Sequence, residues 1–137
     1  MHAIEELLVR QACAELIALY ALLNDERRYE ELADLFTEDA TLFRPSSPDQ
    51  PIRGRAAILE AFRKRPDSVV TFHVTSDVLV EASAAGVVQV RSKMLMFAAT
   101  RGEAGSNKAP VAGTFHDTVV STPDGWKFSQ RRGALVI

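Results

Sequence analysis

Residues 20–43, YALLNDERRYEELADLFTEDATLF, decide how the rest of the chain is read. The stretch carries the end of a long apolar helix, a charged corner, a short second helix over 28–36, and an abrupt entry into a strand over 40–43. Upstream, Ile4, Leu7, Leu8, Ala12, Leu16, Leu19, Tyr20 and Leu23 recur at three- and four-residue steps. That spacing predicts a helix over 4–23 with one apolar stripe. Asn24 is its expected stop, because asparagine tolerates the left-handed conformation that closes helices. Glu38 and Asp39 are expected to turn the chain into the strand. Tyr20 and Asp25 fall where the long helix gives out. A phenol and an acid beside a large apolar surface are candidates for pocket chemistry.

Downstream, Pro45, Pro48 and Pro51 remove backbone donors and forbid helix, so 44–53 is expected to be a loop, either a connector or a flap over a pocket mouth. A third helix is expected over 55–65, burying Ile58, Leu59 and Phe62 and ended by Pro66. From 69 onward the texture is extended. Strands are predicted over 69–81, 87–100, 112–121 and 126–137, with turns at 82–86 and 122–125 and a polar loop over 101–110. Strict alternation would put His73, Thr75 and Asp77 on one strand face and Val74, Val78 and Val80 on the other. Val88, Val90, Ser92, Met94 and Met96 share a face of the next strand. Three helices followed by about three long strands in hairpin succession define an α+β fold. The helices collect on one face of a strongly curved antiparallel sheet, which wraps the long helix into a cone with an apolar interior and one open end.

The composition narrows the partners. At 137 residues the chain is one domain, 1–137, and its 47% apolar and 25% charged residues are an ordinary globular balance. Sixteen Lys and Arg against eighteen Asp and Glu leave a net charge of −2, which offers no general attraction to nucleic acid or to anionic lipid. No apolar run approaches bilayer length and no signal peptide is evident, so no membrane partner is expected. The single cysteine, Cys13, cannot form an internal disulfide; it suits a reducing cytoplasm, the expected location, and reads as a small core residue.

Several motifs, weak singly, occur in a telling order: Tyr20 and Asp25, then Tyr29, Leu32 and Leu35-Phe36-Thr37-Glu38-Asp39-Ala40, then Gly54-Arg55-Ala56-Ala57-Ile58, Phe72-His73-Val74-Thr75-Ser76-Asp77, Phe115-His116-Asp117, and Gly125-Trp126-Lys127-Phe128 followed by Arg131-Arg132. Together they resemble the SnoaL-like branch of the NTF2-like superfamily, with its scytalone dehydratase, dehydrochlorinase, polyketide cyclase and ketosteroid isomerase relatives. That resemblance implies a base dyad of Asp25 and His73: the carboxylate orients the imidazole and stabilises its cation, and the free ring nitrogen takes a proton from carbon. It also implies homo-oligomers, dimers most often. In many members an asparagine stands where this chain has Asp77.

Around that dyad, Tyr20 is a candidate donor to a leaving group or carbonyl oxygen, or a packed core residue. Arg131 and Arg132 face opposite ways on a regular strand. Arg132 shares parity with Trp126 and Phe128, whereas Arg131 matches the family position, and a bulge would exchange them. One of the two would stabilise a developing anion. His116 is a second polar group of the pocket or a surface residue. Phe43, Phe62, Met94 and Met96 are core, or the lining for a hydrophobic, ring-sized ligand. Too few histidines are present for a metal site, and no phosphate-binding glycine loop or nucleophile elbow occurs, so no cofactor is expected. The expected activity is a lyase, dehydratase or related, acting on a small hydrophobic cyclic compound. The alternatives are an isomerase of the ketosteroid type and a non-catalytic protein, either a ligand binder or a structural partner like the small subunit of ring dioxygenases.

Overall fold

The structure, a computed structural model, describes residues 2–137. In chain order the elements are α1 (Ala3–Asp25), α2 (Tyr29–Ala33), β1 (Phe36–Arg44), β2 (Ser47–Arg53), α3 (Arg55–Arg63), β3 (Val69–Ala84), β4 (Val87–Thr100), β5 (Val111–Thr122) and β6 (Gly125–Leu135). One six-stranded sheet runs β2-β1-β6-β5-β4-β3. Neighbours are antiparallel except β1 and β6, which run parallel. The sheet curls into a half-barrel around α1, the α+β cone expected from the sequence; its sixth strand, β2, lies where a loop was expected.

Three expectations are corrected. The proline-containing segment is a strand, not a loop. Pro48 and Pro51 lie in β2, an edge strand, where a missing amide hydrogen costs no ladder bond if it faces outward. Glu38 and Asp39 are inside β1 rather than in a turn before it, and Phe36 opens that strand rather than closing α2. The buried face of α1 is also rotated from the expected stripe. Val9, Cys13, Leu16, Ile17, Tyr20 and Leu23 are buried, whereas Ile4, Leu7, Leu8 and Leu19 are exposed. Only the helix from Val9 onward is covered by the sheet, so apolar residues in its first turns have nothing to pack on.

Two bulges set which side chains face inward. On β3, Asp77 and Val78 together oppose the single position Ser92, and Asp77 adopts φ +54°. Strict alternation therefore fails. His73, Thr75, Val78 and Val80 point to the concave side, and Asp77 is exposed instead of sharing the His73 face. On β6, Thr118 pairs with Gln130 and Val119 with Phe128, so Ser129 is the extra residue. That insertion brings Phe128 and Arg131 onto the same buried face and turns Arg132 outward.

The core fills the concave side. Tyr20 stands at its centre, with the rings of Phe36, Phe62, Phe115 and Phe128 edge-on at 6.0–6.2 Å between centroids. This geometry aims positive ring edges at negative faces and stabilises beyond area burial alone. Cys13 is sealed in the same core, where burial pushes its thiol up to about 11, so it stays protonated and unreactive.

Candidate active site

Asp25 is the last residue of α1, beyond the expected stop at Asn24. The chain then leaves the helix through a Schellman turn: the Arg28 amide donates to the Leu23 carbonyl at 2.9 Å and the Arg27 amide to the Asn24 carbonyl at 3.2 Å. Arg27 takes the left-handed position at φ +60°, normally a glycine's. Its guanidinium reaches across to the carbonyls of Val69 at 2.8 Å, Arg65 at 3.1 Å and Pro66 at 3.0 Å. These bonds tie the end of α1 to the start of β3, four residues before His73.

The two ends so tied hold the dyad. His73 Nδ1 lies 2.5 Å from Asp25 Oδ1, the His73 backbone amide donates to Oδ2 at 2.7 Å, and the Thr71 hydroxyl donates to Oδ1 at 2.9 Å. A carboxylate at a helix C-terminus faces the negative end of the helix dipole. Three donors offset that, and they leave Asp25 no freedom to swing. With Nδ1 hydrogen-bonded to the carboxylate, the neutral imidazole carries its proton there, and Nε2 is free as an acceptor. Both side chains are largely shielded, at 11% exposure for His73 and 17% for Asp25.

His73 opens on a cavity of about 500 Å³, lined by Tyr20, Asn24, Phe62, Met94, Met96 and Phe115 on its inner side and by Arg44, Pro45, Ser46, Lys64 and Arg65 elsewhere. That volume suits a ring-sized molecule. Of the residues singled out from sequence, Tyr20, His73, Phe62, Met94 and Met96 meet here, with Asp25 behind His73. Burial raises the Tyr20 hydroxyl's pKa while Arg131 pulls against it, so Tyr20 is kept as a proton donor. Pro45 and Ser46, in the turn between β1 and β2, give the flap reading of that segment a place at the cavity wall.

The other candidates lie elsewhere. Arg131 is fully buried one layer behind the cavity, ion-paired to Asp117 at 2.9 Å. Its guanidinium stacks on Phe115 at 3.7 Å, Tyr20 at 4.3 Å and Phe128 at 4.7 Å. It orders the aromatic wall and does not line the space. Arg132 is exposed on the convex face, stacked on Phe43 at 3.9 Å. His116 is exposed there too, between Arg91 and Arg132 in adjacent strands. Pocket positions for Arg132, His116 and Phe43 are therefore corrected, the β6 bulge and plain strand alternation being the causes. Sequence reasoning missed Asn24, Arg44, Lys64 and Arg65. Asn24 had been read only as a helix stop, and helix-end bases give no periodic signal. Among the described residues no three His, Cys, Asp or Glu side chains converge as metal ligands would. Nor is any helix long and apolar enough to cross a membrane.

A six-stranded half-barrel curled on one long helix is the architecture of the SnoaL-like proteins of the NTF2-like fold. The chain belongs to that family: the model of the SnoaL-like domain matches residues 5–132. It is similar to a candidate scytalone dehydratase from Novosphingobium aromaticivorans, at 25% identity over 99% of this chain and 89% of that one, with a TM-score of 0.81. It is also similar to a function-unknown protein from Mycobacterium tuberculosis, at 27% identity over 98% of this chain and 76% of that one, TM-score 0.82. A hexachlorocyclohexane dehydrochlorinase, LinA type 2, shares the fold at TM-score 0.85 with 18% identity, over 99% of this chain and 90% of that one. No curated protein matches the sequence significantly.

Proposed function

We propose that the protein is a cofactor-independent lyase that eliminates a leaving group from a small cyclic compound. The observation that carries this reading is the hydrogen bond between Asp25 and His73 at the wall of an unfilled cavity. His73 Nε2 takes a proton from a carbon next to an activating group. The C–H electron pair becomes the new carbon–carbon double bond, and the leaving group departs with its own bonding pair. Tyr20 donates its hydroxyl proton to the departing oxygen or halide and is reprotonated by solvent. Asp25 holds the imidazole in the reactive tautomer and stabilises its cation, work that general-base catalysis values at roughly a hundredfold or more. A dehydratase-like similarity at 25% identity supports the class. An open cone with these two groups in contact favours this over a purely structural role, for which a filled interior would serve better.

The test does not require the leaving group to be known. Cyclic ketones and phenols are incubated with the protein in deuterated water, and hydrogen exchange at the activated carbon is followed by NMR. Exchange is expected with at least one compound and should fall on the order of a hundredfold in both His73→Ala and Asp25→Asn. Exchange that survives both substitutions removes the dyad from the mechanism. We also propose a cytoplasmic homo-oligomer, assembled through the convex sheet face, where Phe72 pairs with Phe97 and Val74 with Leu95, all four exposed.

A further inference from the structure

Three cations reach the same cavity: Arg44 from the end of β1, and Lys64 and Arg65 from just beyond α3. Among the described residues none of them has an acidic partner, whereas Arg28, Arg63 and Arg131 are each matched by acids. No aspartate or glutamate belongs to the cavity lining. The Asp25 carboxylate, one layer back, is already committed to three donors. Arg44 Nε is sealed from solvent without a hydrogen-bond partner. Arg65 is held in place by its contact with the rings of Tyr29 at 5.7 Å and Phe62 at 5.9 Å, so its position is set before any ligand arrives. Arg65 Nη1 donates to the Asn24 carbonyl at 3.4 Å and the Thr71 hydroxyl at 3.5 Å, both neutral. The half-buried Arg44 and Arg65 therefore keep charges that no acid in the cavity lining offsets, with Lys64 exposed beside them.

We propose that the ligand of this cavity is a ring bearing a carboxylate, the ring against Met94, Met96 and Phe115 and the carboxylate between Arg44 and Arg65, with Lys64 at the more exposed side. A guanidinium presents a planar fork of donors that matches a carboxylate two bonds at a time. This narrows the compound class of the proposed lyase and rests on the cavity being its active site. It also has a mechanistic consequence. The cations would hold one end of the molecule fixed, so that a particular ring C–H is presented to His73 Nε2. The field of Arg65 and Arg44 reaches the cavity interior, since both pull down the Tyr20 hydroxyl's pKa against its burial.

Two probes of one shape separate charge from fit: 2-naphthoate and its neutral isostere 2-naphthamide, titrated calorimetrically into the wild-type protein. Naphthoate is expected to bind about tenfold or more tightly than the amide, as one charge-assisted contact pair would give. Raised salt should narrow the gap. Arg44→Gln and Arg65→Gln should each reduce the preference and together abolish it. Because Arg65 also packs on two rings, Arg44→Gln with Lys64→Gln supplies a second pair that leaves those stacks alone. Equal affinity for the two probes overturns the proposal, as does failure of naphthoate to bind at about 1 mM or a preference that survives both double variants. His73→Ala should keep the naphthoate preference. Charge-selective binding without hydrogen exchange would therefore leave this inference standing and sink the lyase instead, and the reverse result would do the opposite.

Discussion

Arg131 and Asp117 face each other 2.9 Å apart with neither side chain exposed. Asp117 Oδ1 and Arg131 Nε and Nη2 are left without partners. Burial pushes the Asp117 carboxyl up to about 6 even though Arg131 pulls it down. Desolvation of the carboxylate therefore outweighs its attraction to the one guanidinium beside it. Linkage sets the sign. Below the folded pKa of about 6 and above the ordinary value of 3.8, the folded protein binds a proton that the unfolded chain has released. The stability this contributes is greatest at the acid end and is lost as pH rises through 6. Asp117→Asn keeps the shape and removes the titration. Urea midpoints measured from about pH 4 to pH 7 should show the wild type losing ground to the variant as pH rises. A constant difference would mean Asp117 stays ionised throughout. Arg131 itself could be named from sequence as a strand arginine, but its choice over Arg132 could not, because one extra residue at Ser129 reverses the parity.

At the scale of elements, the bulges explain most of what periodicity misread. Strict alternation puts Asp77 on the His73 face, but its backbone φ is +54°, in the left-handed region. Asp and Asn are the non-glycine residues that enter the left-handed region most readily. The position therefore serves the bend of β3 rather than the chemistry, and its side chain lies on the exposed side, 3.9 Å from Lys93. Asp77→Gly should leave stability within about 0.5 kcal/mol, whereas Asp77→Val should cost about 1–2 kcal/mol by chemical denaturation, since a β-branched residue is strained at positive φ. Equal cost for both would show that the side chain, not the backbone, matters. The proline-rich β2 was misread for a related reason. A rule against proline in strands applies to central strands, and sequence does not say which strand will be the edge. The long helix and the four strands after residue 69 were legible because their hydrophobic patterns run over many residues.

For the molecule as a whole, the convex face is the unfinished surface. Phe72 is 64% exposed, and Val74, Leu95 and Phe97 lie beside it in register. If that face joins two copies, Phe72→Lys with Phe97→Lys should move the protein to monomer mass in light scattering at unchanged helix content by circular dichroism. A wild-type protein that is already monomeric at tens of micromolar concentration would remove the interface.

The sequence alone was enough for the α+β class, the family resemblance and the pairing of Asp25 with His73 as candidates, because apolar periodicity and ordered short motifs are local properties of the chain. Tertiary structure decided that the two side chains touch. It placed Arg131 behind the cavity and Arg132, His116 and Phe43 outside it, and it brought Arg44, Lys64 and Arg65 to one wall. Those outcomes depend on bulges, on which strand lies at the edge and on where a curled sheet closes. Each comes from the packing of residues distant in the chain, which no local pattern encodes.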